Sequence, residues 1–163
     1  MTTDLQNAFN NLIEEQRALR AKFQETAQAL FKETTKEFFN KNPGVTAIHW
    51  TQYTPYFNDG DTCEFSVGDI YYTNANYDQM GEVSTYAYEG EDENVWSESA
   101  WGIRYIIEKK GKIFEGVSLE YAENFSGLVS GSDMEEVMKE MFGDHVRVIA
   151  TREGFDVQDY DHE

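Results

Sequence analysis

The chain has 163 residues, 40% apolar and 15% aromatic, with 31 acidic against 13 basic side chains and a net charge of −18. Such a chain folds as one domain of ordinary size with a proper core, which excludes bulk disorder. One cysteine, Cys63, excludes an internal disulfide and a cysteine-rich zinc site, and no run approaches the ~20 apolar residues that a transmembrane helix needs.

Met1 to Gln6 carry neither a basic start nor an apolar run, so no secretory leader is expected, and a reducing cytoplasm is the expected compartment. From Thr3 the spacing predicts one long amphipathic helix. Leu5, Phe9, Leu12, Leu19, Phe23, Leu30 and Phe38 recur at steps of three, four, seven or eight, all of which return to one helical face. Ala8, Ile13, Ala27 and Phe31 widen the stripe, while Gln16 and Thr34 sit where it would otherwise continue. Thr3 with Gln6 fits a capping box, and Asn42-Pro43-Gly44 stops the helix. At about 1.5 Å per residue such a helix runs ~55 Å, longer than a domain of this size is wide. With no glycine or proline to break it, one continuous helix is expected.

After Gly44 the pattern turns to β. Val45 to Tyr53 is rich in β-branched and aromatic residues, and a loop follows through Asp61. Cys63 to Tyr72 alternates, with Cys63, Phe65 and Val67 on one face and a bulge expected at Gly68. Val83 to Tyr88 reads as a short strand. Ile103 to Lys109 and Lys112 to Tyr121 read as a hairpin around Lys110-Gly111. Ser132 with Glu135 forms a second capping box, opening a short helix with the stripe Met134, Val137, Met138, Met141 and Phe142, closed by Gly143. Val146 to Arg152 and Phe155 to Tyr160, joined at Glu153-Gly154, form a final hairpin. The expected fold is therefore α+β: a long N-terminal helix over 1–41, then an acidic globular domain over 42–163 with a mostly antiparallel sheet and one short helix.

Charge is unevenly placed. Residues 1–41 hold six acids and six bases, so the excess lies in residues 42–163, with 25 acids against 7 bases. A field this negative repels nucleic acid and anionic membranes, and neither is an expected partner. Carboxylates spread along a rigid scaffold can instead copy a phosphate pattern and occupy the basic cleft of a nucleic-acid enzyme. The candidate partner-binding residues are Asp59, Asp61 and Glu64, the acidic loop Glu89, Glu91, Asp92 and Glu93, and the aromatic group Trp50, Tyr53, Tyr56 and Phe57, with Trp96 and Trp101 downstream. Ordinary sheet packing is the alternative for the aromatics, and core packing is the expected role of the methionines in the short helix.

Catalytic signatures are missing. The three histidines lack metal-ligand spacing, and there is no GxSxG, P-loop or GxGxxG. Asn58, Asp59, Asp61 and Glu64 do not follow the calcium-loop pattern, so neither metal nor cofactor is expected. Cys63 reads as a small buried hydrophobe. The expected function is a non-catalytic acidic binding or regulatory protein. Two alternatives are a small enzyme using Asp59, Asp61 and Glu64, and an assembly protein dimerising through residues 5–38. Phe9, Phe23 and Phe38 are bulky for a strict two-stranded seam, and the other use of the stripe is to lie across the sheet.

The run Trp50-Thr51-Gln52-Tyr53-Thr54-Pro55-Tyr56-Phe57-Asn58-Asp59-Gly60-Asp61, continuing to Cys63-Glu64-Phe65-Ser66-Val67, resembles a segment of small uncharacterised proteins of tailed bacteriophages. Gly143-Asp144-His145-Val146-Arg147-Val148 is similar in kind. The resemblance extends over much of residues 38–160 and implies a phage origin rather than an activity. It favours an accessory protein that binds and diverts a host factor in the host cytoplasm.

Overall fold

The computed structural model describes residues 3–56, 60, 62–75, 88–89 (backbone) and 95–161. The chain forms two compact units, Met1–Thr34 and Thr35–Glu163. One helix, α1 (Asp4–Lys41), runs through the boundary unbroken, as its lack of helix breakers predicts. The first capping box closes reciprocally: the Gln6 N–H donates to Thr3 Oγ1 at 3.1 Å and the Thr3 N–H to Gln6 Oε1 at 3.0 Å.

The stop after α1 is built from side chains as well as from Pro43. Buried Asn42 donates through Nδ2 to the Phe38 carbonyl at 2.8 Å, satisfying one orphan of the last turn, and accepts the Ser118 N–H at 2.7 Å. Gly44 follows where the backbone of Glu115 passes, and a Cβ at Gly44 would lie 2.0 Å from the Glu115 carbonyl oxygen. Arg152 adds a cation at the same helix end, donating to the Phe39 carbonyl at 3.2 Å.

Among the described residues the second unit holds an antiparallel sheet of seven strands. These are β1 (Ala47–Tyr53), β2 (Ser66–Val67), β3 (Tyr71–Thr73), β4 (Tyr88–Glu89), β5 (Trp96–Ser99), β6 (Val146–Thr151) and β7 (Gly154–Asp159). Their order is β4-β5-β3-β1-β6-β7, with β2 also paired to β1. The predicted strand from Cys63 begins only at Ser66, and Gly68 interrupts it between β2 and β3, its N–H donating to the Thr51 carbonyl at 2.8 Å. Cys63 is half-buried and outside the strand, which corrects its reading as a core residue. The final hairpin forms as predicted, with Val148 opposite Val157. Most of the predicted strand Val83–Tyr88 lies outside the described residues.

Residues 100–129 depart most from expectation. In place of a hairpin at Ile103–Lys109 and Lys112–Tyr121 there is a helix, α2 (Ala100–Tyr105), continuing through a π-turn at Ile106–Lys110. After a connection with a turn at Glu115-Gly116 comes α3 (Leu119–Val129). The β-branched run reads as strand, but Ser99 caps the helix by accepting the Gly102 N–H at 3.1 Å. Arg104 pairs with Glu108 one turn on at 3.2 Å and with Glu123 of α3. Gly111, at φ 66°, ends this helix instead of turning a hairpin. The short helix α4 (Glu135–Phe142) opens through a 3-10 turn at Ser132–Met134 without a side-chain cap, so the second capping box does not close.

The helices cover one face of the sheet. Ile48, Trp50, Gln52, Tyr72, Val148 and Ala150 are fully buried, and Phe38 of α1 and Phe125 of α3 pack there with rings 5.3 Å apart. The Tyr72 hydroxyl donates to the Ala122 carbonyl at 2.7 Å, and burial raises its pKa. Gln52 ties β1 to α4: its Oε1 accepts the Trp50 indole N–H at 3.0 Å, while its Nε2 donates to Met138 O at 2.9 Å and Gly143 O at 2.7 Å. The predicted stripe of α4 holds in part, with Val137 and Met138 buried and Met134, Met141 and Phe142 half-buried. Replacing Gln52 with leucine keeps the volume but strands all three partners, so Gln52→Leu should cost about 3 kcal/mol in urea unfolding with an unchanged m-value.

Candidate functional site

The first unit carries a row of exposed apolar side chains. On α1, the side chains of Leu5, Phe9, Leu12, Ile13, Leu19, Phe23 and Leu30 are 44–75% exposed. Helical spacing places them along one stripe. Contiguous exposed apolar surface is a feature of interaction sites in general.

The predicted site residues separate in the second unit. Trp50 is buried, packed against Phe142 at 5.8 Å with its indole N–H satisfied by Gln52, so it belongs to the core and not to a recognition surface. Trp96 is likewise buried, edge-on to Phe114 at 4.9 Å. Tyr53 ends β1 half-buried against Tyr160 at 5.7 Å. Tyr56 is exposed and stacks on His145 at 4.9 Å and 11°. Glu64 is exposed. Phe57, Asp59, Asp61, Glu91, Asp92 and Glu93 lie outside the described residues, as does the side chain of Glu89, whose backbone is in β4.

Asp144, not singled out from the sequence, organises the corner where Tyr56 sits. It accepts from the Thr54 N–H at 2.8 Å, the Thr54 hydroxyl at 2.7 Å and the His145 N–H at 2.9 Å. Burial alone would raise its carboxyl, but the bonds from Thr54 and His145 outweigh it and hold the group below its usual range. His145 has φ 55°, uncommon for a residue with a side chain, and follows Gly143 at φ 103°. The signal available beforehand was an Asp directly after a helix-terminating glycine, which favours an Asx-type turn.

Among the described residues His49 is a strongly perturbed histidine. Its ring is buried, stacked on Tyr71 at 5.3 Å, with Nε2 3.2 Å from Ser97 Oγ. Burial, and then the Arg147 charge, push its pKa down to about 3, so it is neutral at physiological pH and walled off from a proton-transfer role. Beside α2 a cleft of about 420 Å³ is lined by Asp69, Ser99, Trp101 and Ser126. Ser99 is engaged as the helix cap and Ser126 with the Tyr72 hydroxyl, and no described histidine or cysteine lines the cleft to pair with a nucleophile. Trp101 stands 72% exposed at its rim, stacked on Tyr105 at 5.4 Å. Among the described residues no cluster of histidine, cysteine, aspartate or glutamate is placed to hold a metal ion, and no helix is long and apolar enough to cross a membrane.

Compared with protein-family models, curated proteins and solved structures, the chain matches none.

Two outcomes are expected for this region. Asp144→Ala strands three donors and should lose about 2 kcal/mol in urea unfolding, with Asp144→Asn losing less because one acceptor oxygen remains. His49 has a folded pKa of about 3 against 6.5 for the free group, so its contribution is fully present above pH 6.5 and is lost as pH falls toward 3. Between pH 6 and pH 4 the wild type should lose up to about 1.4 kcal/mol per pH unit more than His49→Gln, read from urea midpoints across that range.

Proposed function

We propose that this chain is a non-catalytic binding protein whose binding element is the exposed apolar face of α1. The observation that carries the reading is the row of seven exposed large apolar residues from Leu5 to Leu30. Leaving that surface in water is costly, and burying it against a partner recovers about 1.5–3 kcal/mol for each fully covered side chain. The acidic residues 42–163 restrict the partners: like-charged surfaces are repelled, and neutral or basic ones are admitted. With the resemblance to tailed-phage proteins, this gives an accessory protein acting on a protein in the host cytoplasm.

A second reading rests on a separate observation. Exposed carboxylates occur on strands, helices and loops alike, among them Glu64, Glu120, Glu136, Glu140 and Asp159. Such a surface can stand in for nucleic-acid phosphates in the basic cleft of an enzyme.

Affinity capture from bacterial lysate at low and high salt, with wild type and a Leu12→Asp/Leu19→Asp variant as bait, tests both readings. A partner held at high salt by the wild type, either a lysate protein or a second copy of this chain, and weakened at least about 100-fold by the variant is the expected result. Capture of a nucleic-acid enzyme that is lost at high salt and indifferent to the variant would move the function to the carboxylate surface. If the wild type binds neither a lysate protein nor another copy of itself, the α1 reading is rejected.

A further inference from the structure

The exposed stripe of α1 is ordered in a way that identifies what covers it. Leu5, Leu12 and Leu19 repeat every seven residues, as do Phe9, Gln16, Phe23 and Leu30, and the two series interleave at steps of three and four. That is the two-position seam of a coiled coil, sustained for nearly four heptads. The exposed fractions of the seven apolar residues, on side chains of up to about 200 Å², amount to roughly 800 Å² per chain. A stable interface takes about that much from each partner.

We propose that the face is covered by a second copy of the chain, joined as an antiparallel two-stranded coiled coil over residues 5–30. The inference rests on the reading of α1 as the binding element and names its partner. Three observations select this occupant and direction. The first is shape. In parallel register Phe9 meets Phe9 and Phe23 meets Phe23, which overfills a two-stranded seam. In the antiparallel register Leu5 faces Leu30 of the other copy, Phe9 faces Thr26, Leu12 faces Phe23 and Gln16 faces Leu19, so each large ring meets a smaller side chain.

The second is flanking charge. Beside the antiparallel seam Glu15 of each copy falls opposite Lys22 of the other, giving two attractive pairs related by the dyad. Arg20 lies opposite Ile13, where its aliphatic stem can cover the apolar edge. The third is the charge of the rest of the chain. The helix segment 1–41 is balanced at six acids and six bases, whereas residues 42–163 carry 25 acids against 7 bases. Two copies therefore meet with least repulsion through their helices. Antiparallel pairing sets Leu30 of one copy and Leu30 of the other about 38 Å apart along the axis.

The test is sedimentation equilibrium of the full chain, combined with interlabel distances from spin labels on Asn7→Cys in a Cys63→Ser background. A dimer at micromolar concentration is expected, with Leu12→Asp/Leu19→Asp weakening it at least about 100-fold and leaving the urea unfolding of the globular unit unchanged. The labels should lie about 35 Å apart, since residue 7 of each copy sits near opposite ends of the pair. Glu15→Lys or Lys22→Glu alone should loosen the dimer, and the two together should restore it. Labels under about 20 Å apart would show a parallel pair, and a trimer or tetramer would show another seam; either overturns the proposal. So does a monomer at 100-fold higher concentration. If that monomer still captures a lysate protein through Leu12 and Leu19, the binding reading survives and only the second-copy assignment falls. If it captures nothing, both fall.

Discussion

The second unit depends on one constraint: β1 is buried continuously from Ala47 to Gln52. A strand buried on both faces cannot place its polar side chains in water, so each must find a partner inside. Gln52 answers this by holding the Trp50 indole and two carbonyls near α4, and His49 answers it in part, neutral with Nε2 on Ser97 and its ring on Tyr71 while Nδ1 is buried without a hydrogen bond. The positions of α4 and of its terminal Gly143 then follow from β1 as much as from their own apolar contacts. Asp144, next along the chain, closes back onto Thr54 just beyond the end of β1. Strand, helix end and loop corner thus form one hydrogen-bonded system, which low local dielectric makes stiff.

A second tension lies within α1. Its last turns supply Phe38, Phe39 and the cap at Asn42 to a packed core, where each ring adds about 2–3 kcal/mol of burial. The same periodicity carries on toward the N-terminus through Leu30, Phe23 and Leu12, whose side chains stay exposed. An isolated helix is marginal in water, and packing of its apolar face usually supplies what propensity does not. The exposed stripe is therefore the part of this protein whose stability has most to gain from a partner, which ties folding energetics to the proposed function.

His49 is buried and uncharged, the serines beside Trp101 are committed to structure, and Asp144 is occupied by three donors. Among the described residues in contact with water are apolar residues on α1, the stacked pairs Trp101–Tyr105 and Tyr56–His145, and many carboxylates. Apolar contacts provide affinity that survives salt, while the acidic field governs which surfaces approach.

Where a local signal acted alone, the sequence was a sufficient guide. The length of α1, its capping box and its stop follow from helical period, an absence of breakers, and Asn42-Pro43-Gly44, all properties of neighbouring residues. The closing hairpin likewise needed only two β-branched runs and a Glu153-Gly154 turn. Residues 100–129 could not be settled in that way, because Ile103, Ile106 and Ile107 favour strand while Ser99 and Glu123, one adjacent and one distant, hold them helical. Ala122, Phe125 and Val129 did carry a helical stripe, obscured by assigning Tyr121 to a strand. Trp50 was named for a surface and lies in the core, since residue type alone does not say whether one face of a strand or both will be covered. Sequence by itself determined the charge division and the apolar stripe of α1, which are fixed by covalent order and side-chain spacing. Only the tertiary structure decided which aromatics reach solvent and which polar groups are locked inside, because burial is a relation between segments distant in the chain.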